Sequence, residues 1–125
     1  MANKRVFIAF AIEDEKYRTF LSGQAKHDKS PFDFVDMSVK EPWDEKWKTN
    51  CRARVKGCDG MVALISKNTK NADGQIWEIQ CAYDEGVSVL LMWINDERPT
   101  LPALLKDKRI NIWSWPNIKN FIEKL

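Results

Sequence analysis

Glu78 is the residue in this sequence whose type and position are best suited to chemistry. It lies early in a helical segment, residues 74–85, and its neighbours Cys81 and Ala82 are small and uncharged. A carboxylate in such semi-apolar surroundings can be poised for catalysis. The alternative, which spacing alone leaves open, is a solvent-facing glutamate favourably placed near the amino end of its helix.

Apolar spacing predicts which side of this helix meets the core. Ile76, Ile79 and Tyr83 share one stripe, so we expect Glu78 to point away from it. Glu85 follows Glu78 by seven residues and shares its direction. We interpret Glu85 as ordinary surface.

Other reactive patterns are weak. The single histidine, His27, lies in a polar stretch and is interpreted as a loop residue. Cys51, Cys58 and Cys81 form an odd set without metal-ligand spacing, which favours buried free thiols in a reducing compartment and no metal site. The five glycines are spread singly, so no phosphate-binding loop is predicted, and no nucleophile elbow occurs.

The six tryptophans invite comparison with base-stacking proteins. Trp43 and Trp47, however, continue into Cys51 and Val55 as one helical stripe. A stripe of this kind is more typical of a core or a subunit contact than of a nucleic-acid platform.

Apolar segments alternate with helical ones along the chain, which predicts a parallel sheet covered by helices on both faces. At this length the usual arrangement is flavodoxin-like α/β, a three-layer sandwich with a five-stranded parallel sheet in the order 2-1-3-4-5. We expect the first strand to be central, with residues 5–10 almost wholly buried, and the second to lie at an edge. The predicted strands are residues 5–10, 32–35, 61–65, 87–93 and 110–112.

Ligands of open parallel sheets bind beyond the carboxyl ends of the strands. This rule selects Phe10 and Ala11 after the first strand, Ser38 after the second, Ser66 after the third and Asn95 after the fourth. The helix that carries Glu78 follows the third strand, at the same edge.

Length, composition and net charge restrict the number of domains, the classes of partner and the location that we expect. The chain has 125 residues, which predicts one domain over 1–125, and 30% of them are charged with a net charge of only +2. That balance argues against nucleic acid or a membrane surface as partner. The longest apolar stretch, residues 87–94, is too short to cross a bilayer, and no signal peptide is evident, so we expect a cytoplasmic location.

Four short motifs, taken in order, resemble bacterial TIR-like domains of the group related to the TIR component of the Thoeris anti-phage system. The likeness runs over nearly the whole chain. The motifs are Val6-Phe7-Ile8-Ala9-Phe10 followed by Glu13-Asp14, then Asp36-Met37-Ser38, then Met61-Val62-Ala63-Leu64-Ile65-Ser66 with Asn68-Thr69, and Ile76-Trp77-Glu78-Ile79.

This resemblance implies an NAD+ hydrolase or cyclase that releases nicotinamide and makes a linear or cyclic ADP-ribose product. Glu78 falls at the position of the catalytic glutamate. Phe10 and Ala11 would line the nicotinamide and ribose, and Ser38 and Ser66 would offer hydroxyls. NAD+ would be a substrate, with no further cofactor, and the partners implied are a second copy of the chain on activation and an effector protein that responds to the product.

Two departures and two alternatives accompany this interpretation. Asp73-Gly74 replaces the usual serine of animal-type TIR domains, and Trp77 is adjacent to Glu78 rather than several residues before it. One alternative is a non-catalytic signalling module that acts by self-association or by binding a partner, with a response-regulator receiver as its model. A receiver needs an aspartate at the end of the third strand, where this chain has Ser66, and Asp59 lies at the wrong end. The other alternative is a nucleoside deoxyribosyltransferase-like enzyme.

Overall fold

The computed structural model describes residues 4–27, 32–35 and 45–125, in which strands and helices alternate. The strands are β1 (Lys4–Ala9), β2 (Phe32–Val35), β3 (Gly60–Ile65) and β4 (Ser88–Trp93). The helices are α1 (Glu15–His27), α2 (Glu45–Lys56), α3 (Asp73–Asp84) and α4 (Trp115–Glu123). Short 3-10 turns cover Ile12–Asp14, Thr69–Asn71 and Ala103–Leu105.

The four strands form one parallel sheet in the order β2-β1-β3-β4. β1 is central, as predicted, and pairs with β3 from Val6 opposite Gly60 to Ala9 opposite Ala63. All six residues of β3 are buried, which explains why its sequence is continuously apolar. β2 lies at the edge, in agreement with its alternating sequence.

Two apolar cores cover the two faces of the sheet, as the alternating pattern predicts. On one face, Cys51 and Val55 of α2 pack with Ile79 and Ala82 of α3. On the other face, α1 and α4 contribute the buried residues Leu21, Ala25, Ile118 and Ile122. Because β1 alternates its side chains, Phe7 and Ala9 enter the α2–α3 core, whereas Val6 and Ile8 enter the α1–α4 core.

The prediction of a fifth strand over residues 110–112 is wrong within the described chain, where that segment forms a single parallel bridge. Asn111 donates its backbone N–H to the Leu91 carbonyl and accepts from the Trp93 N–H, both at 2.8 Å. The ladder does not extend further because Ser114, two residues after Ile112, is already the N-cap of α4. The bridge nevertheless lies beside β4, where the predicted order places it.

Several element ends differ from the sequence-based bounds. Arg5 is exposed and only Val6–Ala9 of β1 are buried, because Arg5 lies at the outer start of the strand, where its N–H donates to Asp59 Oδ2 at 2.8 Å. The interpretation of His27 as a loop residue is wrong, because α1 continues past Gly23 to His27 and the buried Ala25 packs its last turn against the core. α3 ends before Gly86, as predicted. The φ of Gly86 is 71°, in the left-handed region that favours glycine.

Candidate functional site

Residues from two loops meet at the carboxyl ends of β1 and β3. Phe10 and Ala11 follow β1, and Ser66 follows β3 directly. Because the two strands are parallel neighbours, their loops leave the sheet at the same edge. The structure therefore brings together two of the regions that the strand-end rule selects, those after the first and the third strand.

A buried carboxylate, Asp14, joins these two loops. It is 3% exposed and accepts hydrogen bonds from the Ser66 hydroxyl at 2.5 Å and from the Asn68 amide at 2.9 Å. Ser66 Oγ also accepts from the Asn68 backbone N–H at 3.0 Å. The Thr69 hydroxyl accepts from the Ser66 backbone N–H at 3.0 Å, which completes the turn. Ser66 is thus engaged within the protein, and its predicted contact with substrate stays a prediction.

Two adjoining cavities open beside this network. The smaller, of about 250 Å³, is lined by the loops after β1, β3 and β4 and includes Asp14, Ser66 and Asn95. The larger, of about 420 Å³, is mostly apolar and shares Tyr17 and Ile94 with the smaller one. Its remaining lining residues are Phe20, Gln24 and Trp113.

Phe10 and Ala11 occupy different environments at this edge. Ala11 is 1% exposed, and its carbonyl accepts from the Asp14 N–H at 2.8 Å. Phe10 is half-buried against the α1–α4 core, with the Arg18 guanidinium 5.8 Å from the centre of its ring. Their predicted contact with nicotinamide and ribose stays a prediction, and Ser38 lies outside the described residues.

Glu78 is buried, being 6% exposed, so the alternative of a solvent-facing glutamate is wrong. The predicted core stripe also needs correction, because Ile79 is fully buried whereas Ile76 and Tyr83 are only half-buried. The core side of α3 runs instead through Gln75, Ile79 and Ala82, with Glu78 beside it. The helix is rotated relative to the prediction because it packs against both the sheet and α2.

The face of α3 that includes Glu78 lies toward α2. One turn before it, a side chain at Gly74 would come within 4.0 Å of the Trp47 ring. The Trp77 ring has Lys48 and Arg52 of α2 above it, each with its charge 5.3 Å from the ring centre. One turn beyond Glu78, on the same helix, Cys81 is fully buried in the core shared with α2. Glu78 is therefore held at the junction of two helices.

The charge of Glu78 acts on two thiols at this junction. Burial, followed by the negative charge of Glu78, raises the pKa of the Cys51 thiol. Burial is also the largest cause that raises the pKa of Cys81, and Glu78 adds to it. Because their pKa values are raised, both thiols stay neutral at physiological pH. Glu78 does not line either of the two cavities described above.

A polar residue that the sequence analysis passed over connects α3 to the strand ends. Gln75, only 2% exposed, donates from Nε2 to the Ala9 carbonyl at 3.0 Å and to the Leu64 carbonyl at 2.7 Å. Its position four residues before Ile79 was the available signal, because a polar residue on a core stripe must find partners inside the protein.

Within the described residues, no group of three or more histidine, cysteine, aspartate or glutamate side chains is arranged to hold a metal ion. None of the described helices combines the length and apolar character needed to cross a membrane.

Comparison with known proteins gives one family and one fold. The family model described as Thoeris protein ThsB, TIR-like domain matches residues 7–99. The crystal structure of the TIR domain of the Toll-related receptor TRR-2 from Hydra magnipapillata aligns with a TM-score of 0.72 at 12% identity, over 94% of this chain and 97% of that one. The RPS4 and RRS1 TIR domain heterodimer aligns with a TM-score of 0.55 at 12% identity, over 97% of this chain and 92% of that one. A search of curated proteins finds no match.

Proposed function

The chain belongs to the Thoeris ThsB TIR-like domain family, and we propose that it is an enzyme that cleaves NAD+ between nicotinamide and ribose. The products are nicotinamide and an ADP-ribose that is released in linear or cyclic form as a signal in anti-phage defence. An effector protein that responds to this product is the downstream partner we propose.

The burial of Glu78 is the observation that carries this proposal. A carboxylate that is only 6% exposed is uncommon, because charged side chains are rarely buried without a specific interaction. Ionisable groups held in such settings occur preferentially at functional sites. Glu78 also occupies the position that the family resemblance assigns to the catalytic glutamate.

Cleavage of the nicotinamide bond places positive charge on the ribose as nicotinamide leaves. A fixed carboxylate beside the ribose stabilises that oxocarbenium-like state more than it stabilises bound NAD+, whose positive charge lies on the nicotinamide ring, and this difference accelerates the reaction. In a water-poor junction such as that of Glu78, the attraction is screened less than in bulk solvent. We therefore assign Glu78 as the catalytic carboxylate.

The remaining site residues follow from their place at the strand ends. We propose that Phe10, Ala11 and Ser38 line the bound substrate. Ser66 donates its hydroxyl to Asp14, so we propose that it shapes the site mainly by holding its loop against the loop after β1.

Self-association is part of the proposal. Phe20 and Ile112 are large apolar side chains that are 64% and 62% exposed, and a second copy of the chain would remove them from water. A TIR domain pair is known among the structural neighbours, in the RPS4 and RRS1 heterodimer. We propose that assembly completes the site and raises activity.

The test is nicotinamide release from NAD+ by the purified protein, measured by chromatography over a range of protein concentrations with the oligomeric state followed in parallel. We expect Glu78→Gln to keep the fold and to lower turnover by about a hundredfold or more. Glu85→Gln is the matched control on the same helix. It removes a carboxylate that pairs with Arg52 at 3.1 Å, and it should keep most of the activity.

Two results would contradict the enzymatic proposal. One is near-full turnover by Glu78→Gln, which would remove the carboxylate from the mechanism. The other is wild-type protein that assembles but releases no nicotinamide. The non-catalytic signalling module would then be the better account, although not as a receiver, because Asp59 lies at the amino end of β3 and its Oδ2 binds the Arg5 backbone N–H.

A further inference from the structure

We propose that Gln75 is a positioning residue that fixes Glu78 relative to the end of β1, an inference that rests on the function proposed above. Gln75 lies in the first turn of α3, three residues before Glu78. Residues three apart in a helix lie on the same side, one turn from each other. Whatever holds Gln75 therefore also holds the turn that carries Glu78.

The contacts of Gln75 are made to the two strands that end at the candidate site. Its Nε2 donates to the carbonyl of Ala9, the last residue of β1, and to the carbonyl of Leu64, the last residue but one of β3. Phe10 and Ala11, which we propose to line the substrate, come directly after Ala9. One amide group thus links the substrate-lining residues to the helix of the catalytic carboxylate.

The oxygen of the same amide indicates that Gln75 is not placed there for stability alone. Gln75 Oε1 is buried, and no hydrogen-bond partner for it occurs in the part of the chain that the structure describes. An unpaired buried acceptor is destabilising. A methionine of similar volume would remove this unpaired acceptor, but it would also leave the Ala9 and Leu64 carbonyls without the Gln75 donor. The amide therefore gives the site a fixed geometry that an apolar side chain cannot.

The functional test compares Gln75→Met and Gln75→Asn with wild type. Methionine keeps the volume without any donor, and asparagine keeps the amide on a shorter stem. Gln80→Met is the matched control, because Gln80 lies on the same helix and donates its amide to Asp84 at an exposed site. Thermal unfolding is recorded for each variant, and kcat and KM for NAD+ are measured well below its midpoint.

Misplacing a catalytic group lowers kcat much more than it weakens substrate binding. We expect Gln75→Met to lower kcat by about tenfold or more, with KM changed by less than about threefold. Gln80→Met should leave both constants near wild type. A kcat within about twofold of wild type in folded Gln75→Met would overturn the proposal. Failure of both Gln75 variants to fold would also overturn it, since the amide would then serve stability.

A second measurement separates this proposal from the enzymatic one. Amide hydrogen exchange followed by NMR needs no activity, and it reports on the two elements that Gln75 connects. In Gln75→Met, the backbone amides of Phe10 and Ala11 should exchange about tenfold faster, and so should the amides around Glu78. The control Gln80→Met should not change the exchange of the Phe10 and Ala11 amides. Unchanged exchange after β1 would refute the link even if wild type cleaves NAD+. If the exchange changes together but the protein releases no nicotinamide, the enzymatic proposal is refuted, whereas the connection that Gln75 makes between β1 and α3 is supported.

Discussion

Removing the Ser66 hydroxyl tests whether the buried network at the strand ends is structural. In the native protein this hydroxyl donates to Asp14 Oδ2 at 2.5 Å and accepts from the Asn68 N–H at 3.0 Å. Ser66 is 4% exposed and Asp14 is 3% exposed, so water is poorly placed to replace either bond. Ser66→Ala therefore leaves a buried carboxylate oxygen with one hydrogen bond fewer.

The expected loss of stability can be built from these bonds. A hydrogen bond to a charged group contributes about 1.5–3 kcal/mol, and a neutral one contributes about 1 kcal/mol. Ser66→Ala removes one of each, so we expect the free energy of unfolding to fall by about 3 kcal/mol. For a chain of 125 residues this corresponds to a decrease of about 10 °C in the unfolding midpoint.

Urea unfolding followed by tryptophan fluorescence measures this change, with Ser88→Ala as the matched control. Ser88 is exposed at the start of β4, so its removal should change stability by less than about 0.5 kcal/mol. The double variant with Asp14→Asn adds a check, because residues of one network are not additive. A loss below about 0.5 kcal/mol for Ser66→Ala would refute the structural role, and Ser66 would then be free to meet the substrate.

The glycines give a matched pair for stability: Gly86→Ala should cost about 1–2 kcal/mol because its φ is 71°. Gly23→Ala should stabilise by about 0.5–1 kcal/mol, because it lies inside α1 and a new Cβ there meets nothing within 4 Å. Equal changes in the free energy of unfolding for Gly86→Ala and Gly23→Ala, measured by chemical denaturation, would contradict this expectation. Burial raises the pKa of the Cys51, Cys58 and Cys81 thiols, so the native protein at about pH 8 should not react with a disulfide reagent that labels all three after unfolding. Because their pKa values are raised in the native protein, the thiols ionise first in the unfolded chain. The free energy of unfolding should therefore be constant below the ordinary thiol pKa of about 8.5 and should fall as the pH rises above it. A flat pH profile of unfolding in that range would refute this reasoning.

Local patterns were enough to predict most of the fold. The continuous apolar sequence of residues 61–65 predicted a strand buried on both faces, and β3 is fully buried. Gly86 predicted the end of a helix, and α3 ends just before it. Each of these features depends on residues close in sequence, which is where periodicity carries information.

The missed features depend on residues that are distant in sequence. Ser66 and Asp14 are separated by 52 positions, and Gln75 and Ala9 by 66. No local pattern can indicate such pairs, because each polar residue on its own is compatible with solvent. The prediction of a fifth strand was wrong for a different reason: Ile112 is as apolar as a strand residue, but the chain reaches the N-cap of α4 at Ser114 before a second pair can form.

The two polar networks at the strand ends act from opposite faces of the sheet. Asp14 joins the loop after β1 to the loop after β3 beside the start of α1, while Gln75 holds the ends of the same two strands from α3. Because β1 and β3 are the strands between which the order reverses, their ends are where an open parallel sheet has its ligand crevice. Apolar packing alone specifies geometry loosely there, since the strands have left the core. Directional hydrogen bonds from both faces therefore fix the positions of these strand ends relative to α1 and α3.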